Sequence, residues 1–203
     1  MAITALQDVF RYLDADGRLQ AAELVRAVMA GLDGAGPISR ANPLPVLGAA
    51  GCYATASFTP AAAAYSANDI IGASGEFAFT FADGTAIPAG SVVRVLDSLL
   101  RIDATALQAS EAGYQLQTYS ATQPSAQADN DAWTLASGDL TTYRGAMAIG
   151  TPVDLGAALF VRTPFQDFDV RLTTPSLWAR LQTLAGFTAT AVARQVTLYG
   201  IVL

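Results

Sequence analysis

The sequence contains neither lysine nor histidine, and all eleven of its basic residues are arginine. Without lysine it has no Schiff-base amine and no P-loop lysine, and without histidine it lacks the usual general base and metal ligand. The single cysteine, Cys52, cannot form an internal disulfide and has no histidine to activate its thiolate, so a buried structural thiol is expected. These absences predict a protein that is not an enzyme and that has no catalytic residues, cofactor or metal.

Long hydrophobic runs are also missing, although 52% of the residues are hydrophobic and the mean hydropathy is +0.36. No run reaches the ~20 apolar residues needed to cross a bilayer, which argues against a membrane protein. The net charge of −6 argues against nucleic-acid binding, which depends on neutralising phosphates. Residues 1–10 lack a basic region followed by an apolar core, so no secretory signal is expected, and the product should stay in the cytoplasm where it is made. The surplus of apolar residues is predicted to contact other protein.

Residues 1–35 have helical spacing in two blocks and predict a helical hairpin. The blocks carry apolar residues at Leu6, Val9, Phe10 and Leu13, and then at Leu24, Val25, Val28, Met29 and Leu32. Asp14, Asp16 and Gly17 lie in the break between them. Residues 36–51 are irregular and contain Pro37, Pro43 and Pro45, which predicts an extended arm or linker with a domain boundary near residue 50.

The break between the two blocks is similar to a calcium-binding loop, with Asp14, Asp16 and Glu23 as candidate ligands. The match is incomplete. With Glu23 at the twelfth loop position, Tyr12 falls where the first aspartate belongs, and with Asp14 as the first ligand the loop is two residues short. A capped interhelical turn is the alternative, in which Asp14 or Asp16 accepts backbone hydrogen bonds.

Residues 52–203 are predicted to form an antiparallel β-sandwich or jelly roll, organised around residues 91–103. This stretch predicts a long, half-buried strand, because its β-branched run is interrupted but not ended by the charged residues Arg94, Asp97, Arg101 and Asp103. A helix over residues 93–100 is the alternative. Five later runs are predicted to pair with this strand: residues 114–119, 143–149, 157–162, 169–173 and 194–203. Residues 175–186 fit this pattern less well and could form a short helix capped by Ser176, and either assignment leaves a β-rich domain.

Three sets of side chains in this region are candidates for chemistry or binding. Asp129, Asp131 and Asp139 could supply carboxylates for a metal or for glycoside hydrolysis, although turn-forming aspartates are commoner. Aromatic residues could stack on sugars or close a core, namely Trp133, Tyr143, Trp178 and Tyr199. Ser74 follows a suggestive small-residue pattern but has no histidine to activate it.

Short motifs over residues 55–203 resemble a group of tailed-bacteriophage virion proteins. The motifs are Ser57-Phe58-Thr59-Pro60, residues 67–72, Glu76-Phe77-Ala78-Phe79, Gln117-Thr118-Tyr119, Pro124-Ser125-Ala126, residues 129–133, Ser137-Gly138-Asp139, Tyr143-Arg144-Gly145 and residues 153–160. The resemblance implies a virion component with a β-sandwich body, binding the outside of the head as a decoration or cement protein. It carries over no catalytic residues, and it does not cover the hairpin and arm.

Composition and resemblance together predict a structural virion protein whose body forms a homo-oligomer, expected to be a trimer, and whose N-terminal region attaches to the major capsid protein or another virion subunit. A tail, baseplate or head-fibre protein is the first alternative. A carbohydrate-binding module that uses Trp133 or Trp178 is the second, and an acid–base enzyme that uses Asp129 and Asp131 is the third.

Overall fold

The computed structural model describes residues 50–120 and 122–203, with the backbone alone for residues 165–167. The predicted helical hairpin (1–35), most of the arm (36–51) and the candidate ligands Asp14, Asp16 and Glu23 lie outside the described residues. Twelve strands were assigned: β1 Ala50–Phe58, β2 Ala64–Tyr65, β3 Ile70–Ala78, β4 Thr80–Phe81, β5 Val92–Ile102, β6 Tyr114–Ser120, β7 Tyr143–Ile149, β8 Val153–Asp154, β9 Leu159–Arg171, β10 Ser176–Thr183, β11 Phe187–Thr188 and β12 Arg194–Val202.

All strand pairs in the described residues are antiparallel, which confirms a mainly β fold. One sheet has the order β4-β1-β12-β5-β9-β8, a second has β3-β10-β6-β7, and β2 pairs with β11. The strands of seven or more residues are β1, β3, β5, β6, β7, β9, β10 and β12. Counted along the chain, these eight strands are arranged 1-8-3-6 in the first sheet and 2-7-4-5 in the second. That is the strand order of a jelly roll.

The strand predicted at residues 91–103 is confirmed as β5, which lies between β12 and β9. Its predicted partners are correct only in part. β12 and β9 pair with β5, and the runs predicted at residues 157–162 and 169–173 are parts of the single strand β9. β6 and β7 pair with each other in the second sheet, because the chain crosses to the other layer after Ile102.

The predicted helix over residues 175–186 is wrong, because residues 176–183 form β10. Leu177, Ala179 and Leu181 alternate into the core, as a strand requires. The intervening polar residues Ser176, Arg180 and Gln182 are also buried, so β10 has no exposed face despite its alternation of apolar and polar residues. β3 and β6 flank β10 and satisfy its backbone on both sides, and this pairing overrides the local helical spacing.

One hydrophobic core fills the space between the two main sheets. β1 shows the alternation that builds it, since Cys52, Ala54, Ala56 and Phe58 are buried whereas the residues between them are exposed. The layers approach closely where β3 passes β1. A Cβ added at Gly75 would lie 2.9 Å from the Cβ of Ala56, so this position requires glycine.

Candidate functional site

The outward face of the four-stranded sheet is covered by the chain itself. The loop of residues 122–142 lies over Arg180, a residue of β10 that is 2% exposed. Arg180 donates hydrogen bonds through Nη2 to the Ser125 carbonyl at 2.6 Å and through Nη1 to the Gln127 carbonyl at 3.3 Å. Burial lowers the pKa of the Arg180 guanidinium. Arg180 therefore holds the loop against the sheet through these two hydrogen bonds.

Two of the four aromatic candidates, Trp133 of this loop and Tyr143 of β7, lie together between the loop and the sheet. The rings of Trp133 and Tyr143 have centroids 5.9 Å apart, and Tyr143 lies 5.5 Å from Tyr119. Trp133 donates its indole N–H to the Tyr119 hydroxyl at 3.1 Å, while the Tyr143 hydroxyl donates to Gln117 Oε1 at 2.7 Å. Burial raises the pKa of both tyrosines. These contacts make the cluster a packing element between loop and sheet.

Of the other two aromatic candidates, Trp178 borders this cluster and Tyr199 lies in the other sheet. Trp178 is half-buried on β10, opposite Tyr119 in the strand register. Tyr199 lies on β12, in the other sheet, opposite Tyr53 of β1. The structure therefore does not bring the four aromatic candidates together into one groove.

The three candidate aspartates accept structural hydrogen bonds, two of them from residues distant in the chain. Asp129 accepts hydrogen bonds from the backbone N–H groups of Ala61 (2.7 Å) and Gly72 (2.6 Å), and from the Tyr65 hydroxyl at 2.8 Å. Asp139 accepts from the backbone N–H and hydroxyl of Ser125, both at 2.9 Å. Asp131 accepts a longer bond, 3.3 Å, from the Ala128 N–H. Asp131 therefore has the local contact of a turn-forming aspartate, whereas Asp129 and Asp139 tie their loop to distant segments and to Ser125.

Ser74 and Cys52 have equally local surroundings. The Ser74 hydroxyl accepts a hydrogen bond from Gln123 Nε2 at 3.0 Å. Cys52 is 4% exposed, and burial raises the pKa of its thiol from 9.0 to about 11. Among the described residues, no three acidic or cysteine side chains cluster closely enough to hold a metal ion. Within the same residues, no helix has the length and hydrophobicity needed to span a membrane.

A buried ion pair, which the sequence did not predict, lies at one end of the sandwich. Arg194 begins β12 and donates through Nη2 to Glu111 Oε1 at 2.9 Å, and both side chains are 1% exposed. Its Nη1 donates to the Val192 carbonyl at 2.7 Å and the Thr190 carbonyl at 3.1 Å. Tyr114 donates its hydroxyl to Glu111, and burial raises the pKa of this tyrosine. The pair joins the loops before β6 and β12.

The outward side of the six-stranded sheet, here called the exposed face, carries no covering loop among the described residues. Strand register aligns its side chains in rows across β1, β12, β5 and β9. The rows are Ser57, Gln195, Arg101, Phe160; then Thr55, Thr197, Leu99, Arg162; then Tyr53, Tyr199, Asp97, Pro164. Leu96, at the β5 bulge, also lies on this face, between the third row and the Ala50 end of β1. The face therefore mixes aromatic, aliphatic and polar groups.

Two ion pairs on the exposed face are internal to the sheet. Arg94 of β5 forms a bidentate pair with Asp169 of β9, with both hydrogen bonds at 2.7 Å. The hydrogen bonds from Arg94 hold the pKa of Asp169 below its usual range. Arg162 pairs with Asp97 across the same two strands, with its Nε and Nη2 both donating to Oδ2 of Asp97. Tyr53, Leu96 and Tyr199 are 40%, 42% and 36% exposed, and they form a patch that we name the tyrosine patch.

No family model matches the chain, and no curated protein is similar to it in sequence. Among solved structures, one similar chain comes from the structure of a marine algae virus of the order Picornavirales. The two chains are 14% identical, the match covers 77% of this chain and 70% of the viral one, and the TM-score is 0.23. A TM-score this low does not indicate a shared fold.

Proposed function

We propose that the protein is a structural component of a tailed-bacteriophage virion, and specifically a capsid decoration protein that binds the outer head surface and stabilises the lattice. The tyrosine patch carries the proposal. Three large side chains are exposed together on one face of the sheet, beside arginines whose charges are already paired within the sheet. Contiguous apolar surface of this kind is typical of protein interfaces, where tyrosine is enriched.

The fold and the aspartate contacts support the same function. Jelly rolls occur in viral capsid proteins, in lectins and in cupins, so the strand order alone does not choose among these classes. Asp129 and Asp139 are engaged in structural hydrogen bonds, which favours a mechanical role over an acid–base reaction. The sequence motifs that resemble virion proteins supply the third support. The body would form a homo-oligomer, as a trimer, on the major capsid protein or another virion subunit.

Binding to heads tests the proposal directly. The full chain, incubated with heads that lack it, should sediment with them at a saturable occupancy. A variant with Tyr53→Glu and Tyr199→Glu should lose this binding, because two charges would have to be buried at the interface. Val153→Glu is the matched control, since Val153 is 59% exposed on the β8 edge of the same sheet. Failure of the wild-type chain to bind heads would overturn the proposal, and equal binding by the double variant would exclude the tyrosine patch.

Attachment through residues 1–51 is the second part of the proposal. The sequence predicts a helical hairpin and an extended arm there, and an arm adds interface area beyond that of the body. A variant lacking residues 1–49 should bind heads at lower occupancy, with its circular dichroism checked for a β-rich spectrum. Wild-type occupancy by this variant would show that the N-terminal region does not anchor the protein.

A further inference from the structure

A groove lies at the far end of the exposed face from Ala50. It is lined by the row Ser57, Gln195, Arg101 and Phe160, and is bounded by Leu155 and Asp103. Its volume is about 450 Å³, within the range of small-ligand sites. A second depression of about 340 Å³ shares Asp103 and continues over the loop that follows β5. Together they offer space for a ligand longer than a single ring.

Arg101 and Asp103 are both exposed at the groove, and neither forms a hydrogen bond or ion pair with another described residue. Two other arginines on this face are paired with aspartates: Arg94 with Asp169, directly opposite it, and Arg162 with Asp97, diagonally across β5 and β9. Arg101 stands instead between Gln195 and Phe160, so its guanidinium has no carboxylate opposite it. The donors of Arg101 and the acceptors of Asp103 are therefore available to a ligand.

The two charges select the ligand's chemistry. An anion would be attracted by Arg101 and repelled by Asp103, and a cation would meet the reverse, so neither ion is favoured by both groups. A neutral molecule with many hydroxyl groups can accept from Arg101 and donate to Asp103, while the Gln195 amide can do either. Phe160, 37% exposed, and Leu155, 65% exposed, supply apolar surface for C–H groups.

We propose that this groove binds a neutral saccharide, with a sugar ring packed on Phe160 and its hydroxyl groups bonded to Arg101, Asp103 and Gln195. The site is separate from the sequence candidates Trp133 and Trp178. It lies about 23 Å along β1 from Ala50, at ~3.3 Å per residue between Ala50 and Ser57. The saccharide site does not depend on the proposed function.

Solution NMR on the full chain tests the site without any capsid. The probes are the methyl glycosides of glucose, galactose, mannose and N-acetylglucosamine, each titrated separately, with sodium acetate titrated as an anion. At least one glycoside should shift the Arg101 Nε–H and Gln195 side-chain amide signals in a saturable manner. No such shift with any glycoside would overturn the proposal, as would a saturable shift at Arg101 with acetate alone.

Variants locate the binding. Phe160→Ala and Asp103→Asn should each weaken glycoside binding about tenfold, because one removes the packing surface and the other the charged acceptors. Arg171→Gln is the matched control, since Arg171 is exposed on β9 at the opposite end of the face. Retained amide-signal dispersion will show that the variants are folded. Equal weakening by Arg171→Gln, or wild-type affinity in both groove variants, would contradict the assignment.

Discussion

Arg194 has the most consequential surroundings of any single side chain described. It is 1% exposed, it forms an ion pair with Glu111, and it lies 5.6 Å from the centre of the Phe187 ring. A buried guanidinium whose carboxylate is removed keeps its desolvation penalty without the compensating attraction. We therefore expect Glu111→Gln to lower the free energy of unfolding by about 3–5 kcal/mol in urea titrations.

The matched control for this variant is Asp169→Asn, which breaks a comparable pair at the surface. Asp169 and Arg94 are each more than one-third exposed, so solvent screens their attraction. The expected loss of stability is therefore much smaller than for Glu111→Gln. Equal losses in the two variants would show that Glu111 does not compensate a buried charge.

The Cys52 thiol should be protected in the folded protein. Burial raises its pKa from 9.0 to about 11, so the folded state holds the proton more tightly than the unfolded state. This contribution to stability is complete below pH 9 and is lost as the pH rises towards about 11. Reaction with a disulfide reagent at mildly alkaline pH should be slow in buffer and fast in guanidinium chloride. Rapid reaction of the native protein would contradict this burial.

Residue-scale features divide into those that the sequence could predict and those that it could not. A buried, unreactive Cys52 followed from its apolar surroundings and the missing histidine. The Arg194–Glu111 pair did not, because the two residues are 83 positions apart and nothing local marks them as partners. Trp133 and Tyr143 were both named as candidates from the sequence. Their shared contact with Tyr119 could not be predicted, because it depends on how the loop lies over β6.

At the scale of elements, glycine positions decide how closely the strands approach. Gly200 lies on β12 opposite the β5 bulge, and a Cβ there would lie 2.6 Å from the Arg94 carbonyl oxygen. Backbone cannot move aside as a side chain can, so Gly200→Ala should destabilise the protein by about 1–3 kcal/mol. Gly51→Ala is the control, because nothing lies within 4 Å of its added Cβ. Equal thermal unfolding midpoints for the two variants would contradict the close approach.

The loop over the four-stranded sheet depends on Asp129. Asp129→Asn replaces one accepting oxygen by an amide donor that would face the backbone N–H of Ala61 or Gly72. We expect a loss of about 1–3 kcal/mol and faster hydrogen exchange at residues 130–133, which pair with the edge of β3.

Asp131→Asn is the control for Asp129→Asn, since its one bond is long and exposed. If the loop exchanged no faster in Asp129→Asn than in this control, Asp129 would not hold the loop in place.

Element boundaries were predictable where periodicity and turn residues agreed. β5, β6, β7 and β12 begin and end within a few residues of their predicted bounds. β10 was misread because Leu177, Leu181 and Leu184 also have the i, i+4, i+7 spacing of a helix, behind a capping serine. That spacing competed with the alternation of apolar and polar residues that marks a strand. The pairing of β6 and β7 away from β5 could not be predicted, because strand order depends on contacts between distant segments.

At the scale of the whole molecule, the two sheets differ in what covers them. The four-stranded sheet is covered by residues 122–142 of its own chain, whereas the exposed face presents the tyrosine patch near Ala50 and the Arg101 groove at the far end. Among the described residues, one layer is therefore partly covered by its own chain, whereas the other has no covering loop. This asymmetry suits a subunit that acts by binding other proteins.

Quantitative mass spectrometry of purified virions tests the decoration role most directly, by comparing the copy number of this chain with that of the major capsid protein. Lattice decoration predicts copies comparable to those of the capsid protein, because each lattice position offers a binding site. A copy number far below that of the capsid protein would contradict decoration and move the protein to the tail, the baseplate or a head fibre. Absence from the particles would contradict a virion role altogether.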